Sequence, residues 1–367
     1  MVLHLNNSKT MIKHMKASVS RCVFGSWSSC LVVVALGLWM VTEPVLAQSK
    51  LKQLWERRDS VHALVDSAVS ARYFSVRYDT AYIKRPDRPL TVKIRTNLSG
   101  NVFNIKQHGD VEGRGKLRSQ RRATLSLGVN YKGLGASFAL NPASLKGKNK
   151  DFEINMNIYK NRFGIDFVYQ DTRTLSGDLR YGDLQGTLDK GVLRMKMVNV
   201  NGYYVFNGRK FSYPAAFVQS FVQRRSAGSW LAGFSYMGGR MKTTDDKPEV
   251  MPNYRVYVGH FGIGGGYGYN LVGCHGRLLM HISALPTLVI GNYSNVRVEG
   301  ERKDIKARFP EVILTGRAAV VYNLSDKYFL SSTFVITNST MGDDQLDIRF
   351  SKWYARACFG IRLWKKT

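Results

Sequence analysis

From about Leu90 onward, apolar and polar residues alternate with a period of two, and this leaves little room for anything but an antiparallel β-sheet with one apolar face. Phe152, Ile154, Met156 and Ile158 alternate with Glu153, Asn155 and Asn157. After a short turn at Lys160-Asn161, Phe163, Ile165, Phe167 and Tyr169 alternate with Arg162, Gly164, Asp166 and Gln170. The pattern recurs in Ala123–Tyr131, in Trp230–Tyr236 and on either side of Asn323–Asp326. It is clearest in the last segment, where Trp353, Ala355, Ala357, Phe359, Ile361 and Leu363 face away from Tyr354, Arg356, Cys358, Gly360 and Arg362.

A soluble sandwich buries one face of each strand, and a membrane barrel turns one face to lipid. Three features favour the barrel. Many segments reach the roughly 9–11 residues that a tilted strand needs to cross a bilayer. Tyr and Trp recur near strand ends, as interfacial girdles do. The polar faces are rich in Gly, Asn, Ser and Arg, which suits a wet lumen. Strands are predicted at 90–106, 120–131, 133–141, 151–160, 162–173, 192–206, 211–224, 229–239, 253–267, 276–291, 312–323, 327–338 and 346–364. That makes thirteen; reading 120–141 as one strand restores the even number usual in bacterial barrels, about twelve. A change of phase near Met197-Val198 predicts a β-bulge.

The N-terminus has the form of an export signal. Lys9, Lys13, Lys16 and Arg21 precede the apolar run Leu31–Val41, and Val45-Leu46-Ala47 predicts cleavage between Ala47 and Gln48. The expected organisation is a signal peptide over 1–47, a periplasmic helix and linker over 48–84, and an outer-membrane barrel over 85–367 of a Gram-negative bacterium. Leu51–Ala71 carries the helical stripe Leu51, Leu54, Trp55, Val61, Leu64, Val65, Ala68 and Val69. After the predicted cut only Cys274 and Cys358 remain, too few for a disulfide framework.

The chain has 54 basic against 26 acidic residues, a formal charge of +28. Export argues against nucleic acid as the partner. Lipopolysaccharide and outer-membrane lipid, or anionic solutes in a basic lumen, fit better, with periplasmic chaperones and the barrel-insertion machinery expected during assembly. No cofactor is expected, since neither a Walker loop nor a c-type haem signature occurs. No metal is expected either, because His62, His108, His260 and His275 lack ligand spacing. The run Gly264-Gly265-Gly266 precedes no helix and reads as close strand packing.

Two groups of residues could form a site. Gln219, Gln223, Arg224 and Ser226, with Arg225, gather polar groups over one strand and turn, either as a lumenal constriction or as a hydrogen-bonded filling. His281 and Ser283 share a strand face, and Asn295 follows on a segment that could return beside them. This looks like the arrangement in outer-membrane phospholipases, and the resemblance implies Ser283 as nucleophile, His281 as general base and Asn295 as orienter. Those enzymes place the group on the lipid face. Here Met280, Ile282, Ala284, Leu288 and Ile290 claim that face, so His281 and Ser283 should point into the lumen and no enzyme is expected.

Tyr78–Ile83, Phe211–Phe217, Gln223–Trp230 and Ser283–Thr287 resemble the family catalogued as domain of unknown function 4421, which is grouped with bacterial outer-membrane barrels. The resemblance covers roughly Tyr73 to Leu363. It implies fold and compartment and carries no mechanism.

Overall fold

The computed structural model describes residues 77–109, 112–131, 134–142, 151–249, 251–304, 310–342 and 346–364. The leader, its cleavage site and the helix expected over Leu51–Ala71 lie outside these residues. In chain order the elements are β1 (Ile83–Lys84), β2 (Leu90–Gln107), β3 (Gly113–Arg118), β4 (Arg122–Tyr131), β5 (Leu134–Leu140) and β6 (Phe152–Tyr159). Next come β7 (Phe163–Thr172), β8 (Ser176–Tyr181), β9 (Leu184–Leu188), β10 (Leu193–Val205), the helix α1 (Tyr213–Phe217) and β11 (Val222–Gln223). The chain continues with β12 (Ala227–Thr243), β13 (Tyr254–Gly273), β14 (Leu278–Val298), β15 (Glu301–Asp304), β16 (Val312–Asn323), β17 (Tyr328–Gly342) and β18 (Leu346–Leu363).

Twelve of these strands form one curled antiparallel sheet in sequence order: β2, β4, β5, β6, β7, β10, β12, β13, β14, β16, β17 and β18. The last pairs with the first, from Leu346↔Gln107 to Leu363↔Leu90. Among the described residues, only β5 and β6 lack a ladder between sequence neighbours of this set. β3, β8 and β9 extend the sheet beyond β2.

The count of twelve is reached differently from the expectation. Segments 122–131 and 134–140 are two strands after all, and the surplus prediction is 211–224. Pro214 lacks an N–H for a ladder, and Ser212 caps a helical turn by accepting from the Ala215 N–H at 3.2 Å. The predicted bulge at Met197-Val198 is also absent, because β10 pairs without a shift through both residues. Leu193, Met195 and Met197 simply face inward, where they join an apolar cluster. The register shift falls instead between Phe261 and Gly262. Nearby, a Cβ on Gly264 or Gly266 would lie 2.1 Å from the carbonyl oxygen of Pro286 or Ala284, so the glycine run does serve close strand approach.

Burial is inverted relative to a water-soluble protein. Ile94, Leu127, Met156, Ile263 and Ile282 are exposed, Ile282 by 68%, while Asp166, Gln170, Arg317 and Lys352 are each at most 5% exposed. Exposed apolar area costs about 25 cal/mol per Å² in water, so this exterior is stable only against lipid. The chain is a transmembrane β-barrel with polar side chains inside. Connections 132–133, 160–162, 274–277 and 324–327 are short and share one end, whereas 108–121, 141–151, 173–192, 244–253 and 299–311 are longer and share the other. In bacterial barrels the short turns are periplasmic.

An arginine at Ile282 should therefore cost about 2–4 kcal/mol of folding stability in lipid vesicles, as on the lipid face of other barrels. Ile282→Phe should be close to neutral. Denaturant titration of Ile282→Arg in vesicles checks this; an unchanged midpoint would place that face in water.

Candidate functional site: a stoppered lumen

The connection between β10 and β12 is folded into the periplasmic end of the barrel. All five residues of α1 are buried, and Tyr213 is fully so. Tyr213 sits at the centre of an aromatic cluster, with ring centroids 4.7 Å from Tyr203, 5.2 Å from Phe211, 5.6 Å from Phe217 and 4.9 Å from His281. The wall supplies Leu231, Leu279, Leu285, Val321 and Val335. Together these residues make an apolar stopper inside the barrel.

Polar residues tie the stopper down. Gln223 Oε1 accepts from the Ser212 N–H at 3.1 Å and from Asn270 Nδ2 at 3.0 Å, and its amide donates to the Arg225 carbonyl at 2.9 Å. Gln219, at φ 52°, accepts from Lys93 Nζ of the β2 wall at 3.2 Å. Ser226 accepts from the Val272 N–H at 2.9 Å. Arg224 is exposed and holds the N-terminal segment, its N–H donating to the Tyr82 carbonyl at 2.7 Å beside the β1–β11 pair. Of the predicted polar cluster, Gln219, Gln223 and Ser226 are thus brought together as latches between stopper and wall, and Arg224 stands apart from them.

His281 and Ser283 do face the lumen, 4% exposed each. His281 Nε2 lies 3.0 Å from Ser283 Oγ, and its Nδ1 lies 2.7 Å from Asn270 Oδ1. The orienting amide belongs to Asn270, which corrects the expectation for Asn295. Asn295 lies fourteen residues along the same strand as His281, roughly 46 Å at 3.3 Å per residue. Asn270 is the direct cross-strand partner of His281 on β13. Counting outward from the Cys274–Arg277 turn would have found it. Asn270 also donates to the Ser212 carbonyl at 3.1 Å, and Tyr213 OH donates to Ser283 Oγ at 2.9 Å. The Ser–His–Asn relay therefore ends on the stopper, with the Tyr213 hydroxyl directly against the Ser283 oxygen.

Above the stopper lies a charged layer. Arg317 Nη2 donates to Asp166 Oδ2 at 2.6 Å, and its guanidinium carbon sits 4.9 Å from the Tyr203 ring centroid. Glu153 is shared by Lys352 at 3.1 Å and Arg122 at 2.8 Å. Buried charges of this kind persist only when paired and hydrogen-bonded. Towards the outer end, Met195, Met197, Met237, Val289, Ile313 and Phe350 pack with Leu117, Leu175 and Leu188 from the outer extensions. Among the described residues both cysteines are free thiols: Cys358 is buried, and Cys274 lies exposed in its turn.

No curated protein matches the chain. Among solved structures it is similar to the outer membrane protease OmpT from Escherichia coli, at 8% identity and a TM-score of 0.41, covering 76% of this chain and 97% of that one. It is also similar to the translocator domain of the autotransporter NalP from Neisseria meningitidis, at 11% identity and a TM-score of 0.30, covering 85% and 98%. A third likeness is to the P. putida toluene transporter TodX, at 8% identity and a TM-score of 0.26, covering 77% and 94%. The family described as "Domain of unknown function (DUF4421)" matches residues 77–362, and the chain belongs to that family.

Proposed function

We propose that this protein is an outer-membrane barrel closed at rest by its own segment 206–226, which binds small anionic solutes and passes them only when that segment yields. The observation that carries this reading is α1, seated in the barrel with all five residues buried. An open porin keeps a water-filled lumen; here the periplasmic end is filled by aromatic rings. The basic balance of the chain favours anions among the solutes.

A second reading concerns the outer surface. A cleft of about 780 Å³ at the long-loop end is lined by Lys106, Arg114, Lys116 and Arg180, with Asp178 the one acidic residue among its lining. Such a cleft suits the phosphates of lipopolysaccharide, and envelope attachment is the role it would serve.

In this account Ser283 is an acceptor for the stopper and not a nucleophile. A fluorophosphonate probe should leave the folded protein unlabelled, and Ser283→Ala should only lower stability by about 1–3 kcal/mol through the unpaired Tyr213 hydroxyl. Labelling of the wild type that Ser283→Ala abolishes would instead make the protein a hydrolase.

Planar bilayers test the stopper. The wild type should be silent, and the double variant Tyr213→Ala/Gln223→Ala should conduct with an anion-selective reversal potential. Steady conductance of the wild type would overturn the reading.

A further inference from the structure

One face of the lumen carries four cations, and the one carboxylate that acts on any of them is Asp326 in the 324–327 turn, beside Arg362. On β2, Lys93 pairs across the ladder with Gly360, and Arg95 pairs with Cys358. On β18, Arg356 pairs with Asn97, and Arg362 pairs with Thr91. Alternation puts all of these side chains on the same, inward face. The charges of Arg95, Arg356 and Arg362 all act on Lys93.

The carboxylates of the lumen are committed elsewhere. Asp166 is paired with Arg317, and Glu153 with Lys352 and Arg122. Among the described residues, no carboxylate lies within ion-pair distance of any of the four. Their partners are neutral: Lys93 donates to the Val218 carbonyl and to Gln219, Arg356 Nε to Asn97 Oδ1 at 2.7 Å, and Arg362 Nη2 to Asn323 Oδ1 at 3.0 Å. The Nε groups of Arg95 and Arg362 are buried without an acceptor. Phe329, whose ring covers Gly360, lies 4.5 Å from the Arg362 guanidinium carbon, so an aromatic face meets part of the charge.

Four like charges in a confined lumen repel one another, and the unfilled N–H donors add desolvation cost. A bound anion would remove both costs. We infer that Lys93, Arg95, Arg356 and Arg362 form a lumenal binding site for a multiply charged oxyanion of the phosphate class. Arg362 and Lys93 are buried while Arg95 and Arg356 are half-buried, so the ligand approaches from the Arg95–Arg356 side and meets Lys93 at depth. Arginine forks suit the planar pairs of oxygens on such a ligand. Because Lys93 also holds the stopper through Val218 and Gln219, an anion drawing on its ammonium competes with that latch. This inference deepens the solute-binding reading and rests on it.

The test uses the full chain in detergent, titrated first with inorganic phosphate and then with glycerol 3-phosphate, against sodium chloride at equal ionic strength. Melting temperature and calorimetry are the readouts. The wild type should show saturable stabilisation beyond chloride. Arg95→Gln/Arg356→Gln should weaken it at least tenfold, and Arg95→Lys/Arg356→Lys should retain most of it. Ligand-free, the Gln variant should melt at or above the wild type, because neutralisation relieves repulsion; a merely structural pair would make it melt lower. Binding of glycerol 3-phosphate alone would identify a phosphorylated organic solute, and binding of both would identify the phosphate group itself. Saturation by neither probe, or undiminished binding in the Gln variant, overturns the inference. That failure beside a silent wild-type barrel would leave the stopper reading standing.

Discussion

The structure depends on the ladder between its last strand and its first. A bilayer offers no water to unpaired N–H and C=O groups, so a sheet can cross it only if its edges find each other. The eighteen pairs from Leu346↔Gln107 to Leu363↔Leu90 meet that demand at the seam between β18 and β2, while β5 and β6 share no ladder among the described residues. The lipid-facing row Trp353, Ala355, Phe359 and Ile361 and the lumenal row Tyr354, Arg356, Cys358 and Arg362 then follow from the pleat of a single strand. The same ladder lays Lys93 and Arg95 beside Arg356 and Arg362, so the pairing of β18 with β2 itself creates the positive face.

Closure also turns the usual core inside out, and what must be stabilised is the lumen. It is organised in layers. An aromatic stopper around Tyr213 fills the periplasmic end, paired charges around Asp166 and Glu153 lie above it, and an apolar cluster around Met195 and Phe350 lies towards the outer mouth. The Ser283–His281–Asn270 relay belongs to the first layer. Its hydrogen bonds run from wall to stopper, through Tyr213 and the Ser212 carbonyl. A constellation that resembles a catalytic triad in spacing is thus hydrogen-bonded to the aromatic packing beside it.

Much of this was legible in the sequence, because a barrel strand writes its two environments directly into alternate residues. The inward direction of His281 and Ser283 followed from Met280, Ile282 and Ala284 alone. What was not legible depended on contacts between distant segments. Residues 211–224 read as a strand because Phe211, Tyr213, Ala215 and Phe217 also alternate with shorter residues; Pro214 and the Ser212 cap were the local signs against it. Leu193, Met195 and Met197 suggested a bulge because a lumen was expected to be polar, whereas its outer layer is apolar. Asn295 came from looking forward along the chain, when the hairpin brings the partner, Asn270, from behind.

The native cysteines report most directly on whether the lumen is stoppered. Cys274 is exposed in a periplasmic turn and Cys358 is buried on the lumenal face of β18. The measurement is the rate at which a charged, membrane-impermeant maleimide modifies each thiol in the folded protein in detergent, located by peptide mass mapping. Fast modification of Cys274 is predicted, with Cys358 protected until Tyr213→Ala/Gln223→Ala loosens the 206–226 segment. Equal rates at both thiols in the wild type would contradict the account, because the reagent would then be entering a lumen that nothing closes.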